Sequence, residues 1–175
     1  PLPVKVPGAA PVSTGRPLGD IMRQPVFIVA AASGSLGFGV MSLLMSATPI
    51  AMQICSLPFS DVALVLEWHV IGMFAPGFFT GHLIKRFGTL PIMGVGVLLY
   101  ALCIGIALSG QDLHQFLVAL LLLGVGCGMA FNPIMLAAMN GIPEQDAGVA
   151  SGVLNTAFMM GGAVGLAVLA SLAAT

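Results

Sequence analysis

The chain has 175 residues, of which 58% are hydrophobic and only 6% charged, with a formal net charge of -1. A soluble globule carries far more surface charge than this, and a nucleic-acid binder carries a basic cluster that is absent here. Charged residues are missing from 24 to 60, 87 to 111, 113 to 143 and 147 to 175. Each run is long enough to cross roughly 30 Å of hydrocarbon at about 1.5 Å per residue. The composition therefore predicts an all-α membrane protein with about five transmembrane helices, with membrane lipid as its surroundings.

Residues 1 to 24 carry Pro1, Pro3, Pro7, Pro11 and Pro17 among Gly, Ala and Ser. They read as a cytoplasmic linker or tail, flexible and partly extended. A transmembrane helical domain is expected over 25 to 175. Its first span runs from about 26 to 52, opened by Pro25, where a first-turn proline removes no hydrogen bond. Gly34, Gly37, Gly39, Ser42, Ser46 and Ala47 place small residues on it for close helix approach, and Thr48-Pro49 either exposes a backbone carbonyl or ends the helix.

The second span, 60 to 84, is expected to start on Ser60-Asp61 as its N-cap and is interrupted by Pro76. The third covers 90 to 109 and the fourth 114 to 139, with Gly124, Gly126 and Gly128 read as one close-packing stripe. Pro143 to Asp146 forms an acidic start for the fifth, 147 to 175. Five spans are one short of a six-helix unit, and a chain that begins at Pro1 and ends in apolar sequence reads as a fragment.

Lys5, Arg16, Arg23, Lys85 and Arg86 all fall on one side if the spans alternate, which predicts a cytoplasmic amino terminus. Trp68 then sits near the outer interface.

Three polar residues stand out within spans. Glu67 is an acid inside the second span, where charge is expensive unless it meets water or a partner. Two readings stand for it: a substrate or proton-coupling group, or a structural carboxylate snorkelling to the outer interface. His69 diverges from it by about 200° around the helix, so no Glu67/His69 relay is expected. Asn132, beside Pro133, and Asn155 either bond a neighbouring helix or line a cavity. His82 and His114 read as interfacial, and Cys55, Cys103 and Cys127 as apolar packing residues. No metal ligand set, cofactor site, nucleotide loop or nucleophile elbow appears, so no catalytic residue is assigned and an enzyme is not expected.

The segment from Gly81 to Gly88, GHLIKRFG, resembles the short cytoplasmic loop signature of the major facilitator superfamily, G-x-x-x-D-[RK]-x-G, in its carboxy-terminal copy. Gly81, Arg86 and Gly88 match, while Lys85 stands where that pattern has Asp. Residues 141 to 170, GIPEQDAGVASGVLNTAFMMGGAVGLAVLA, are similar to a late-helix segment of proton-coupled multidrug exporters of the same superfamily. The resemblance implies a partial six-helix half, helices seven to eleven of twelve, whose partner is the missing amino-terminal half.

It further implies alternating access, export of a small amphipathic substrate with protons, and a bacterial plasma (inner) membrane. Glu144 and Asp146 would be charge partners for Lys85 and Arg86 in the cytoplasmic loops. The competing reading is a truncated or hybrid membrane protein with only an assembly role.

Overall fold

The computed structural model describes residues 18 to 174, so most of the tail lies outside the described residues. The chain forms α1 (Leu18–Met22), α2 (Pro25–Ile54), α3 (Phe59–Phe74), α4 (Gly77–Phe87), α5 (Thr89–Ala107), α6 (Leu113–Met139), a 3-10 turn (Glu144–Asp146) and α7 (Ala147–Ala173). No strand occurs among the described residues. Four helices, α2, α5, α6 and α7 with its preceding turn, are long and apolar enough to cross a membrane, and α3 with α4, bent by 41°, is so as a pair, as a broken span or a re-entrant loop. Large side chains such as Leu36, Phe78, Leu90 and Leu108 are exposed, as expected where the solvent is hydrocarbon.

Some local expectations shift. Within the tail expected over 1 to 24, residues 18 to 22 close a helical turn and Ile21 is buried against the second core cluster, while residues 1 to 17 lie outside the described residues. Proline-rich composition ends at Pro17, and an apolar anchor follows it. Pro58 and not Ser60 caps α3, and the Ser60 hydroxyl bonds its neighbour Asp61. Pro49 does not end α2, which continues to Ile54 while the Thr48 hydroxyl bonds the Leu44 carbonyl at 2.8 Å.

α2 and α6 stand at the centre. α7 packs on α2, while α3 and α5 take different faces of α6. Backbone-to-backbone approach at small residues builds both seams, since lipid offers no hydrophobic drive for helix pairing and close van der Waals contact must supply it. On α7, Gly161 and Gly165 lie against the backbones of Ser35 and Gly39.

The predicted glycine stripe on α6 divides in two. Gly124 and Gly128, one turn apart, receive the backbone of α3 at His69 and Met73, whereas Gly126 meets Gly96 of α5, whose carbonyl oxygen would stand 3.0 Å from an added Cβ. Residues two apart diverge by about 200°, which forces that division.

The core has two clusters. One, around Met41, Met52, Val65, Leu123 and Cys127, sits toward the α2–α3 turn; the other, around Phe27, Ile134, Leu154 and Phe158, sits toward the α6–α7 turn. A cleft lined by Val26, Thr89, Leu90, Asn140 and Gly141 brings the start of α2, the start of α5 and the end of α6 together at one end of the bundle. The Cys55 thiol and the Gln111 side chain, 3.6 Å apart, meet at the other.

Candidate functional site

The break between α3 and α4 is made by Pro76, which has no N–H to donate to the Gly72 carbonyl. Its own carbonyl restarts the helix, accepting the Phe79 N–H at 3.0 Å, the Thr80 N–H at 2.8 Å and the Thr80 hydroxyl at 2.6 Å. Thr80 is fully buried, so this clip is held within the protein.

Beside the break lies a groove of about 390 Å³ lined by Phe38 of α2, Met73, Phe74 and Gly77 at the break, and Cys127, Gly128, Phe131 and Asn132 of α6. Phe131 is fixed from its far side by Phe158 of α7, with ring centroids 5.2 Å apart and planes tilted by 57°. A second, almost wholly apolar cavity of about 220 Å³ lies between α2, α5 and α6 and shares Phe38, Cys127 and Phe131 as wall. Its Tyr100 hydroxyl donates to the Gly37 carbonyl across 3.4 Å. Together they form a largely apolar space in which Phe38, Phe74, Tyr100, Phe131, Met73 and Met93 stand among small residues, with one side-chain amide at its edge, the composition of a small-molecule site.

Among the sequence-derived candidates, only Asn132 enters this groove. Glu67 and Asn155 are exposed and line neither space. They sit on α3 and α7, which do not touch. The α6-facing stripe of α3 is Val62, Val65, His69 and Gly72, and Glu67 lies roughly 180° from its centre at 100° per residue. The carboxylate therefore faces away from the bundle. Among the described residues the Asn155 side chain makes no bond to a neighbouring helix, while the adjacent Thr156 hydroxyl bonds the Gly152 carbonyl at 2.8 Å.

In the loop segment, Gly88 closes α4 with φ 86°, a conformation suited to glycine. Gly81 is exposed, and a Cβ there would meet nothing within 4 Å. The bend at Pro76 turns that face of α4 away from its neighbours. Lys85 and Arg86 are exposed, and the Arg86 guanidinium lies 5.2 Å from the Phe87 ring centroid. α4 touches α3, α5 and α6, whereas the Glu144–Asp146 turn packs on α7, so no ion pair joins Lys85 or Arg86 to Glu144 among the described residues. Asp146 is buried.

Sequence reasoning did not find His69 as an interhelix bond. It is fully buried, its Nδ1 donates to the Leu120 carbonyl of α6 at 2.8 Å, and its Nε2 has no partner among the described residues. The spacing 62, 65, 69, 72 along α3 was the available signal, because it puts His69 on the packed stripe. The described residues contain no His, Cys, Asp and Glu cluster able to hold a metal ion.

A family model described as Major Facilitator Superfamily matches residues 2 to 166. The chain belongs to the major facilitator superfamily. It is a stretch of a transporter family and not of an enzyme. A protein named riboflavin transporter RfnT, from Brucella anthropi, is 46% identical over 118 residues, covering 67% of this chain and 30% of that protein. A tetracycline resistance determinant from Streptomyces rimosus is 28% identical over 160 residues, covering 89% and 46%. The multidrug resistance protein Stp of Mycobacterium tuberculosis is 32% identical over 129 residues, covering 73% and 22%. The chain thus spans less than half the length of each of these relatives. No solved structure matched it.

Proposed function

We propose that this superfamily segment is part of a secondary active transporter that exports small amphipathic molecules, coupled to protons, by alternating access. In this reading it supplies five spans of the carboxy-terminal half and works with an amino-terminal half in a bacterial plasma membrane. The observation that carries it is the groove at the α3–α4 break, an opening walled by Phe38, Phe74 and Phe131 and edged by Asn132. Relatives named for tetracycline and multidrug resistance support export, and one named for riboflavin supports a flat, partly polar cargo.

Glu67 is the proton-coupling group in this account. Its carboxylate points away from α6, where lipid would make it costly and a facing half-transporter would give it water or a partner. Asn132 contacts substrate, and Asn155 marks the face that α7 offers to the other half. Arg23, Lys85 and Arg86, with Lys5 and Arg16, set the cytoplasmic side by the positive-inside bias. Glu144 and Asp146, on that same side, join Lys85 and Arg86 in a charge set that steadies one transport state, with Gly81 and Gly88 bounding its loop.

The test uses inside-out vesicles carrying the complete transporter that contains this segment. With an acidic lumen, tetracycline or riboflavin accumulates inside, and a protonophore abolishes the accumulation. Accumulation that survives the protonophore undiminished would rule out proton coupling.

A further inference from the structure

His69 is a fully buried ionisable side chain that takes no part in the groove. Its Nδ1 lies 2.8 Å from the Leu120 carbonyl, which can only accept, so that nitrogen carries the proton of the bond. Its Nε2 is buried with no partner among the described residues. The site thus suits a neutral imidazole with a bare lone pair at Nε2. Protonation would add a second N–H there with nothing to receive it.

The elements packed on α3 are α2, α4 and α6, and none of them offers the ring a counter-charge. On α3 itself, Asp61 lies about two turns away and Glu67 is exposed on the far face. α4 carries His82, Lys85 and Arg86, all exposed, and α2 carries no ionisable side chain. On α6 the ionisable residues are His114, exposed at its start, and Cys127, about two turns beyond Leu120. The buried residues of this part of the seam are Val65, Leu120 and Leu123, all apolar. A charge placed among them has neither water nor an opposite charge, so the charged ring and the closed seam exclude one another.

The same seam runs on into the groove. The backbone of His69 lies against Gly124 and that of Met73, one turn later, against Gly128, and Met73 and Gly128 both line the groove. We propose that His69 is a proton-operated latch on the α3–α6 seam. The neutral ring holds α3 on α6 and keeps Met73 and Phe74 in the groove wall. When Nε2 takes a proton from water, the ring leaves the apolar seam for a place where its new N–H is solvated, and α3 parts from α6. Neutral pH therefore favours the closed seam and acid the parted one, in the mildly acidic range where imidazoles take up protons. On the transport reading above, which gives the latch its purpose, cargo leaves on the acidic side of the membrane.

The experiment is pulsed electron paramagnetic resonance on the complete transporter in detergent, its native cysteines replaced, with spin labels at position 70 of α3 and position 118 of α6, where Val70 and Val118 are exposed. One distance between the labels is expected at about pH 7.5, and a second, longer one is expected to appear at about pH 5. His69→Asn keeps an N–H donor near the Nδ1 position and takes up no proton, so it is expected to show the short distance at both pH values. An unchanged distance with His69 in place overturns the proposal, as does the same acid shift in His69→Asn. The first of these comparisons needs no variant at position 69. No substrate enters the measurement, so a seam that responds in a protein that moves no substrate would overturn the transport reading and uphold the latch. A fixed seam in a working transporter would do the reverse.

Discussion

Glu67 and His69 lie two residues apart on α3, and the helical rotation between them sends His69 into α6 and Glu67 out of the bundle. The imidazole ties α3 to α6 with one hydrogen bond and fills the space around it. His69→Ala is expected to open a cavity between α3 and α6 and cost about 2–4 kcal/mol, seen as a lowered melting temperature in detergent. Glu67→Gln, at an exposed position, is expected to change stability by no more than about 0.5 kcal/mol, so its effect on transport reports chemistry and not folding.

The divergence of the two faces was legible from spacing alone. Which face is packed was not, because apolar residues surround the whole helix and a lipid-facing valine looks like a buried one. Asn132 and Asn155 carried the same ambiguity: both are amides in apolar spans, and only the position of α2 beside Phe131 separates the groove-lining one from the outward-facing one.

At the scale of the helix, the glycines decide how spans meet. A side chain at Gly128 would strike the Met73 carbonyl, whereas a Cβ at Gly94 on α5 would meet nothing within 4 Å. Gly128→Leu is therefore expected to destabilise by about 1–3 kcal/mol or more through overpacking, and Gly94→Ala to be neutral or stabilising by up to about 1 kcal/mol through helix propensity. Thermal melts of the pair check this directly, and equal effects would contradict the seam described here.

Small residues announced close packing in the sequence without naming partners, since helix order in space is not a local property. Pro76 likewise announced an interruption. The 41° bend depends on Thr80 and its neighbours rebinding the Pro76 carbonyl, a choice made by three donors at once.

For the molecule as a whole, long uncharged runs made the spans readable, because hydrocarbon thickness imposes a minimum length on any helix that crosses it. The all-α membrane class followed from that constraint. The family was legible at Gly81, Arg86 and Gly88 and in residues 141 to 170, and the family match over 2 to 166 agrees with it. The groove was not legible, because it is formed where α2 and α6 meet the α3–α4 break, three stretches that are far apart in sequence.

In the proposed cycle, transport draws on protons through this half of the molecule. The direct measurement is accumulation of tetracycline or riboflavin as a function of lumenal pH in inside-out vesicles, comparing the complete wild-type transporter with Glu67→Gln. The wild type is expected to accumulate more as the lumen is acidified, while Glu67→Gln equilibrates substrate without responding to the gradient. A Glu67→Gln transporter that retains the full pH dependence of the wild type would contradict it.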